Sequence, residues 1–373
     1  MERVGIFGGS FDPVHSGHLL LAEQLKEAAS LDRVIFIPAR TSPFKLETKP
    51  TSGEDRLEMI RLAIAPDPDL SVSDMELQRE GPTYTADTLE ELKKRLDGAL
   101  IYFILGSDAF MGLDRWYKAE ELIMGAGFLV GMRKGDDPAP VRAKLAELKE
   151  RFEGCDIELF DIPELELSSS DIRFRHQGGR SIVFMVPEPV RGYIEEKGLY
   201  TGLLAQLEAF AVSRQSDHRL AHTRGVVACA ERYALRFGAD PFKAKAAAWF
   251  HDNYKEEGAL QHGPKAAEEL GRLFGISDED TLNAIRYHTT GRPGMSLLEI
   301  VVKMADLLEP GRSYPGAERL RAYADECDDP EEIMLTLMRE ANESLIRAGK
   351  TPAKISTDAI SYFENKLGSK EER

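Results

Sequence analysis

The stretch "VGIFGGSFDPVHSGHLL", Val4 to Leu20, decides how the chain begins. Its apolar opening reads as a buried strand, the Gly8-Gly9 pair as a turn, and "HSGHLL" as the start of a helix. His15 and His18 therefore sit three residues apart at a helix N-terminus, beside the end of a strand. A metal would need more ligands than the neighbourhood offers, since only Asp12 is close in sequence. A phosphate needs backbone N–H groups, the positive end of a helix dipole and imidazole donors, and all three are present. The stretch reads as a phosphate site.

The same alternation continues outward from it. "RVGIF", "RVIFIPA", "LSVSD", "LIYFILG" and "GFLVGMR" are short, apolar, and rich in β-branched or aromatic residues. Amphipathic segments such as "GHLLLAEQLKEAAS" and "TADTLEELKKRL" lie between them. Buried strands alternating with helices predict an α/β fold with a doubly wound parallel sheet over residues 1–200. Ligands of such sheets bind at the carboxyl ends of the strands, where Gly, Pro and Ser cluster here. After "YIEEKGLYTG" the strand signal stops. From 203 to 373 apolar residues recur at helical spacing, from "GVVACAERYALRFG" to "EEIMLTLMREANESLIRAG", so a second, all-α domain is predicted. The closing "GSKEER" reads as a solvated tail.

Composition limits the chemistry. At 373 residues, two domains are the natural expectation. The 64 acidic against 48 basic side chains leave a net charge of −16, which disfavours nucleic acid and anionic membranes as partners. Small phosphorylated ligands need only a local positive site and are not disfavoured. The three cysteines show no C-x-x-C spacing, which argues against a disulfide framework and a thiolate zinc site. With no apolar run of membrane-spanning length and no signal-peptide pattern, a cytoplasmic location is expected. Composition leaves the oligomeric state open.

The helical half carries its own histidine set: His218, His222, His251, Asp252, His262, His288 and Asp306. Imidazole and carboxylate donors around an open site are the ligands of hydrolytic metal centres. Each lone histidine in a helix reads more simply as structural, but several helices carrying one apiece point to a shared site. All donors are nitrogen or oxygen, which favours divalent iron or manganese over structural zinc.

Two resemblances sharpen these readings. The segment from Gly8 to Pro13, followed by His15-Ser16-Gly17-His18, resembles the H-x-G-H signature of the nucleotidylyltransferase superfamily. "LSSSDIR", Leu167 to Arg173, is similar to that superfamily's second signature. "TSPFK", "GPTYTADTLEEL", "ILGSDAF", "RWYKAEEL" and "VPEPVRGYIEEKGLY" resemble the bacterial nicotinate-nucleotide adenylyltransferases in particular. The resemblance implies transfer of an adenylyl group from ATP, with Mg²⁺, to nicotinate mononucleotide. It implies ATP contacts at Gly8, Gly9, Ser10, Phe11, His15, His18, Gly106, Asp108, Ser169, Ser170, Ile172 and Arg173. His18, His15, Lys45 and Arg173 would be the catalytic set. Thr85, Trp116, Tyr117 and Arg133 would bind the acceptor. Phe44 stands where the family more often has histidine.

"HRLAHTRGV", "AAAWFHDNYKE", "ALQHGP", "AIRYHTTGRPGMS" and "VKMADLLEPGR" resemble the HD phosphohydrolases, specifically those that cleave diadenosine tetraphosphate symmetrically. The resemblance makes His222, His251, Asp252, His262, His288 and Asp306 the ligands of two metals, with Asp252 bridging and catalytic. His218 falls outside the family's R-x-x-H motif, which Arg219 to His222 matches. Lys255, Arg292 and Arg312 would contact the polyphosphate. A regulatory nucleotide-binding module, or hydrolysis of another phosphoester such as a guanosine alarmone or a nucleoside triphosphate, are the alternatives.

Overall fold

The computed structural model describes residues 1–40, 51–79, 81, 83–133, 137–163 and 167–371. The chain divides into two compact units, Met1–Tyr200 and Thr201–Arg373.

The first unit is a parallel sheet of six strands: β1 (Arg3–Gly9), β2 (Arg33–Pro38), β3 (Leu70–Val72), β4 (Leu100–Gly106), β5 (Gly127–Arg133) and β6 (Ile157–Ile162). They run in the order β3-β2-β1-β4-β5-β6, and every pairing is parallel. Among the described residues eight α-helices accompany them: α1 (Ser16–Ala28), α2 (Gly53–Ile64), α3 (Thr85–Arg95), α4 (Ser107–Phe110), α5 (Ala119–Gly125), α6 (Pro138–Arg151), α7 (Ser169–Gln177) and α8 (Glu188–Lys197). Successive strand residues point to opposite faces, and both faces are apolar. Val4, Ile6, Ile35, Ile37, Phe103, Leu105, Phe128 and Val130 form the core on one side. Phe7, Val34, Phe36, Ile104 and Leu129 join the core on the other.

Five runs announced strands, but the sheet has six. β6 ("IELFDI") carries Glu158 and Asp161 and buries only its two ends, as an edge strand can, so it lacks the continuous apolar run of the others. The order reverses direction between β1 and β4, and ligands of doubly wound sheets bind at such a point. Gly8 and Gly9 end β1 there, and Gly106 ends β4.

The second unit is helical: α9 (Leu203–Arg214), α10 (Asp217–Phe237), α11 (Pro241–Phe250), α12 (His262–Phe274), α13 (Glu279–Arg286), α14 (Leu297–Leu308), α15 (Ala317–Glu326), α16 (Pro330–Arg347) and α17 (Lys354–Glu371). α14 is the central element: Leu298, Ile300, Val301, Val302, Met304, Ala305 and Leu308 are all buried. The terminal "GSKE" continues α17 instead of forming a tail. No described helix is long and apolar enough to cross a membrane. The three cysteines are free thiols.

Candidate functional site

In the first unit, a cavity of about 660 Å³ opens at the reversal of strand order. Gly8, Gly9, Ser10 and Asp108 line it on the strand side, and Thr85, Trp116 and Tyr117 on the other. Thr85 opens α3, while Trp116 and Tyr117 follow a short 3-10 turn, Leu113–Arg115. The Tyr84 and Tyr117 rings lie 4.7 Å apart, and Tyr117 is half exposed. A flat heterocycle can stack on the exposed face of such a pair. The structure thus brings the expected acceptor residues Thr85, Trp116 and Tyr117 into one cavity with the glycine turn. Lys45 lies outside the described residues, as does the side chain of Arg133, the last residue of β5.

The two signature helices meet at the Phe11–Pro13 loop. Ser169, the first residue of α7, donates its hydroxyl to the Pro13 carbonyl (2.9 Å), and Arg173 donates to the Asp12 carbonyl. Arg173 also reaches the Ser170 hydroxyl (3.2 Å), while Ser168 caps α7 by accepting from the Asp171 amide (3.0 Å). His15 is the N-cap residue of α1, and its ring stacks on that of His18, with centroids 3.6 Å apart. The His15 amide donates to Nδ1 of His18 (3.3 Å). Because that nitrogen accepts, a neutral His18 carries its proton on Nε2, where it can donate to an anion.

Burial lowers the pKa of His15 to about 4, so it is neutral at physiological pH. Its Nδ1 is buried with no hydrogen-bond partner among the described residues. Neutral burial has a thermodynamic signature. Between pH 6.5 and 4 the unfolded chain binds the proton and the folded one does not, so stability falls as pH drops through that window. The shift corresponds to about 3 kcal/mol at its limit. Urea unfolding of wild type and His15→Asn across pH 7 to 4.5 should show the wild type losing ground to the variant on acidification. A constant difference between the two would contradict the neutral assignment.

Two expected ATP contacts have core side chains. Ile172 is fully buried, and Phe11, 2% exposed, packs its ring against Phe7, Phe36 and His18. Apolar side chains this enclosed leave the backbone as the part able to meet a ligand. Phe11 adopts φ 48°, a conformation that non-glycine residues rarely hold. Arg56 went unforeseen because an arginine in an amphipathic helix reads as solvent-facing. It is 2% exposed and donates to the carbonyls of Ser10 (2.8 Å), Ala39 (2.7 Å) and Thr51 (3.0 Å). The Asp12 carboxylate accepts from Tyr200 (2.7 Å) and from the Thr51 amide (3.2 Å). These contacts hold the loop between β1 and α1 in place.

In the second unit, the structure gathers all six expected ligands. His222 comes from α10, His251 and Asp252 from the end of α11, His262 from the start of α12, His288 from just past α13 and Asp306 from α14. Three imidazoles donate Nδ1–H to a backbone carbonyl: His251 to Ala248 (2.7 Å), His262 to Gly258 (2.8 Å) and His288 to Ile285 (2.7 Å). A carbonyl only accepts, so each neutral ring presents its lone pair on Nε2. Those atoms converge on Oδ1 of Asp252, at 3.8 Å for His251, 3.3 Å for His262 and 3.5 Å for His288. Nε2 of His222 lies 3.1 Å from Oδ1 of Asp306, and Nε2 of His251 lies 3.9 Å from the same oxygen.

Two observations test whether the residues suit a cation. Nε2 of His251 is buried with no hydrogen-bond partner among the described residues. Nε2 of His262 and Nε2 of His288 approach to 3.0 Å, with the Lys255 ammonium 3.2 Å from the first, so the cluster gathers donors that call for positive charge. The donor set fits divalent ions in two overlapping groups, His222-His251-Asp306 and His251-Asp252-His288.

The protonation of His251, Asp252 and Asp306 agrees with this fit, whereas His222 departs from it. Burial lowers His251 to about 4, leaving it neutral. Burial would raise Asp252 and Asp306, but the surrounding imidazoles outweigh it, joined by Arg312 at Asp306, and both carboxyls stay well below the usual range. Burial would lower His222, but Asp306 and Glu309 outweigh it, so its pKa is raised.

The outer residues differ among themselves. Lys255 places its ammonium 2.8 Å from Asp252 and 3.2 Å from His262. Arg312 pairs with Asp306 and lies 3.4 Å from Nε2 of His222. Arg292 instead pairs through two nitrogens with Glu299, which is 1% exposed. That ion pair occupies the guanidinium expected to contact polyphosphate. His218 is exposed on α10. Sequence reasoning missed Glu309, whose carboxylate lies 3.0 Å from Nδ1 of His222 and so orients that ring. Gly225 makes room for it: a Cβ there would meet the Glu309 carboxylate at 2.4 Å. The glycine three residues after His222 was the available signal.

Two family models match the chain: cytidylyltransferase-like over residues 6–175, and the HD domain over residues 219–311. A Desulfitobacterium hafniense protein named "Probable nicotinate-nucleotide adenylyltransferase" is 41% identical over 201 residues, 53% of this chain and 96% of that protein. A Lachnoclostridium phytofermentans protein of the same name is 42% identical over 54% of this chain and all of its own length. Among solved structures, a predicted HD superfamily hydrolase involved in NAD metabolism, from Clostridium acetobutylicum, is 29% identical. It covers 43% of this chain and 97% of its own, with a TM-score of 0.41. The chain belongs to the nicotinate-nucleotide adenylyltransferase family, with an HD domain joined to that part.

Proposed function

We propose that the chain is a bifunctional enzyme. Its first unit transfers the adenylyl group of ATP to nicotinate mononucleotide, giving nicotinate adenine dinucleotide and pyrophosphate. The observation that carries this reading is the aromatic cavity sharing its lining with the Gly8-Gly9 turn. The mononucleotide phosphate attacks the α-phosphorus in line, and pyrophosphate leaves. No protein nucleophile is needed, so positioning and charge stabilisation account for the rate. His18 donates Nε2–H to the α-phosphoryl oxygens, while His15, Arg173 and the α1 and α7 N-termini hold the phosphates. Lys45 joins that set, Mg²⁺ accompanies the ATP, and Arg133 completes the acceptor contacts.

Backbone N–H groups around Thr85 and Tyr117 would donate to a carboxylate, whereas an amide would turn its own NH₂ against them. One mispaired polar contact costs about 1–3 kcal/mol. A preference for nicotinate over nicotinamide mononucleotide of at least roughly tenfold in kcat/KM is expected. Equal values for the two acceptors would contradict the assignment.

The second unit, in this reading, hydrolyses diadenosine tetraphosphate to two ADP. The two overlapping groups of clustered imidazole and carboxylate donors, sharing His251, carry the metal assignment. His222, His251, Asp252, His262, His288 and Asp306 would hold two divalent ions, iron or manganese by donor type. Such ions supply Lewis acidity for the developing phosphoryl charge. Lys255 and Arg312 stand at the rim of the cluster, able to hold the polyphosphate and to neutralise a departing nucleoside diphosphate. The chain works on small nucleotides in both units.

A further inference from the structure

The acceptor side of the first unit is selective at one point and permissive elsewhere. Thr85 stands at the N-terminus of α3, where a carboxylate is favoured. Aromatic rings make up much of the lining near it, Tyr84, Trp116 and the half-exposed Tyr117, beside Glu76, Thr83 and Thr88. Aromatic faces stack on any planar base and do not tell a purine from a pyridine. The whole cavity, glycine turn included, measures about 660 Å³, within the range of sites that hold nucleotides. Arg115 stands on the same lining and offers positive charge for additional phosphates. The reaction itself asks only for a phosphate oxygen aligned with the α-phosphorus.

We infer that a second ATP serves as a slow alternative acceptor in the first unit, so that this unit makes the class of compound the second unit destroys. The inference rests on the adenylyl-transfer and polyphosphate-hydrolysis readings given above. An oxygen of the second ATP's γ-phosphate attacks the α-phosphorus of the first. A new P–O–P bond forms, the bond between the α-phosphorus and its bridge to the β-phosphate breaks, and pyrophosphate leaves. Two ATP thus give one diadenosine tetraphosphate and one pyrophosphate, with no oxidant or further reactant. Adenine has no carboxylate for the Thr85 end of the cavity. The side reaction therefore runs with a kcat/KM roughly 10²- to 10⁴-fold below that of the nicotinate acceptor. Joined to a polyphosphate hydrolase, the transferase removes its own by-product, and release into solution suffices for this.

The test uses the full chain carrying Asp252→Asn, with His288→Gln as a second variant should the first fold poorly. Each is incubated with ATP and Mg²⁺ without mononucleotide, and products are separated by ion-exchange chromatography. Diadenosine tetraphosphate and pyrophosphate in equal amounts are expected, suppressed by added nicotinate mononucleotide and absent when His18→Ala is added. Wild-type chain should yield ADP in place of the tetraphosphate. A parallel sample with nicotinate mononucleotide separates the two ways of failing. Normal dinucleotide formation there, with no tetraphosphate from ATP alone, overturns this inference and leaves the parent reading intact. Absence of dinucleotide as well overturns both.

Discussion

Asp252→Ala is expected to lower hydrolysis of diadenosine tetraphosphate by roughly a thousandfold or more and to leave adenylyl transfer at its wild-type rate. Oδ1 of Asp252 is the common point of the cluster, within 3.8 Å of three imidazole nitrogens and 2.8 Å from Lys255. Alanine removes the negative charge that holds cations and the neighbouring lone pairs together. Losing about 4 kcal/mol of charge stabilisation corresponds to that thousandfold. A metal titration of the purified variant gives a second readout, since fewer divalent ions should bind per chain. The transferase is spared because its own residues lie in the other compact unit, Met1–Tyr200. Wild-type hydrolysis by a folded Asp252→Ala chain would remove the bridging role.

The reverse loss is expected for His18→Ala: adenylyl transfer falls about 10²- to 10³-fold, the usual effect of removing one donor to a transition-state oxyanion. The reason lies in the tautomer. With Nδ1 accepting from the His15 amide, the imidazole is set by the backbone to present Nε2–H. The Phe7 and Phe11 rings meet it edge-on, at centroid distances of 5.9 and 5.0 Å, and limit its other orientations. Alanine fills none of this. The loss should appear in kcat, with the KM for mononucleotide little changed, because the donated bond strengthens as charge develops. Pyrophosphate release reads it directly, and an unchanged kcat would contradict the assignment.

Much of this was legible in the sequence, for reasons that also explain what was not. Strands buried on both faces announce themselves by continuous apolar runs, so β1, β2, β4 and β5 could be read. β6 could not, because its Glu158 and Asp161 break the run at the sheet edge. The histidines were legible through spacing and residue type, since ligands must carry particular donor atoms. Their supports were not, because carbonyls of Ala248, Gly258 and Ile285 carry no side-chain signature. Arg56 and Glu309 look like ordinary surface charges in one dimension, and only burial makes them props of a loop and a ring. Arg292 shows another limit: nothing in its motif announced the buried glutamate that it pairs with.

The central claim is that one chain carries two independent phosphate chemistries, and chromatography of wild-type products tests it most directly. One sample receives ATP, Mg²⁺ and nicotinate mononucleotide; another receives diadenosine tetraphosphate and Mn²⁺. The account predicts nicotinate adenine dinucleotide with pyrophosphate from the first, and ADP alone from the second. AMP and ATP in equal amounts from the second sample, or no dinucleotide from the first, would contradict it.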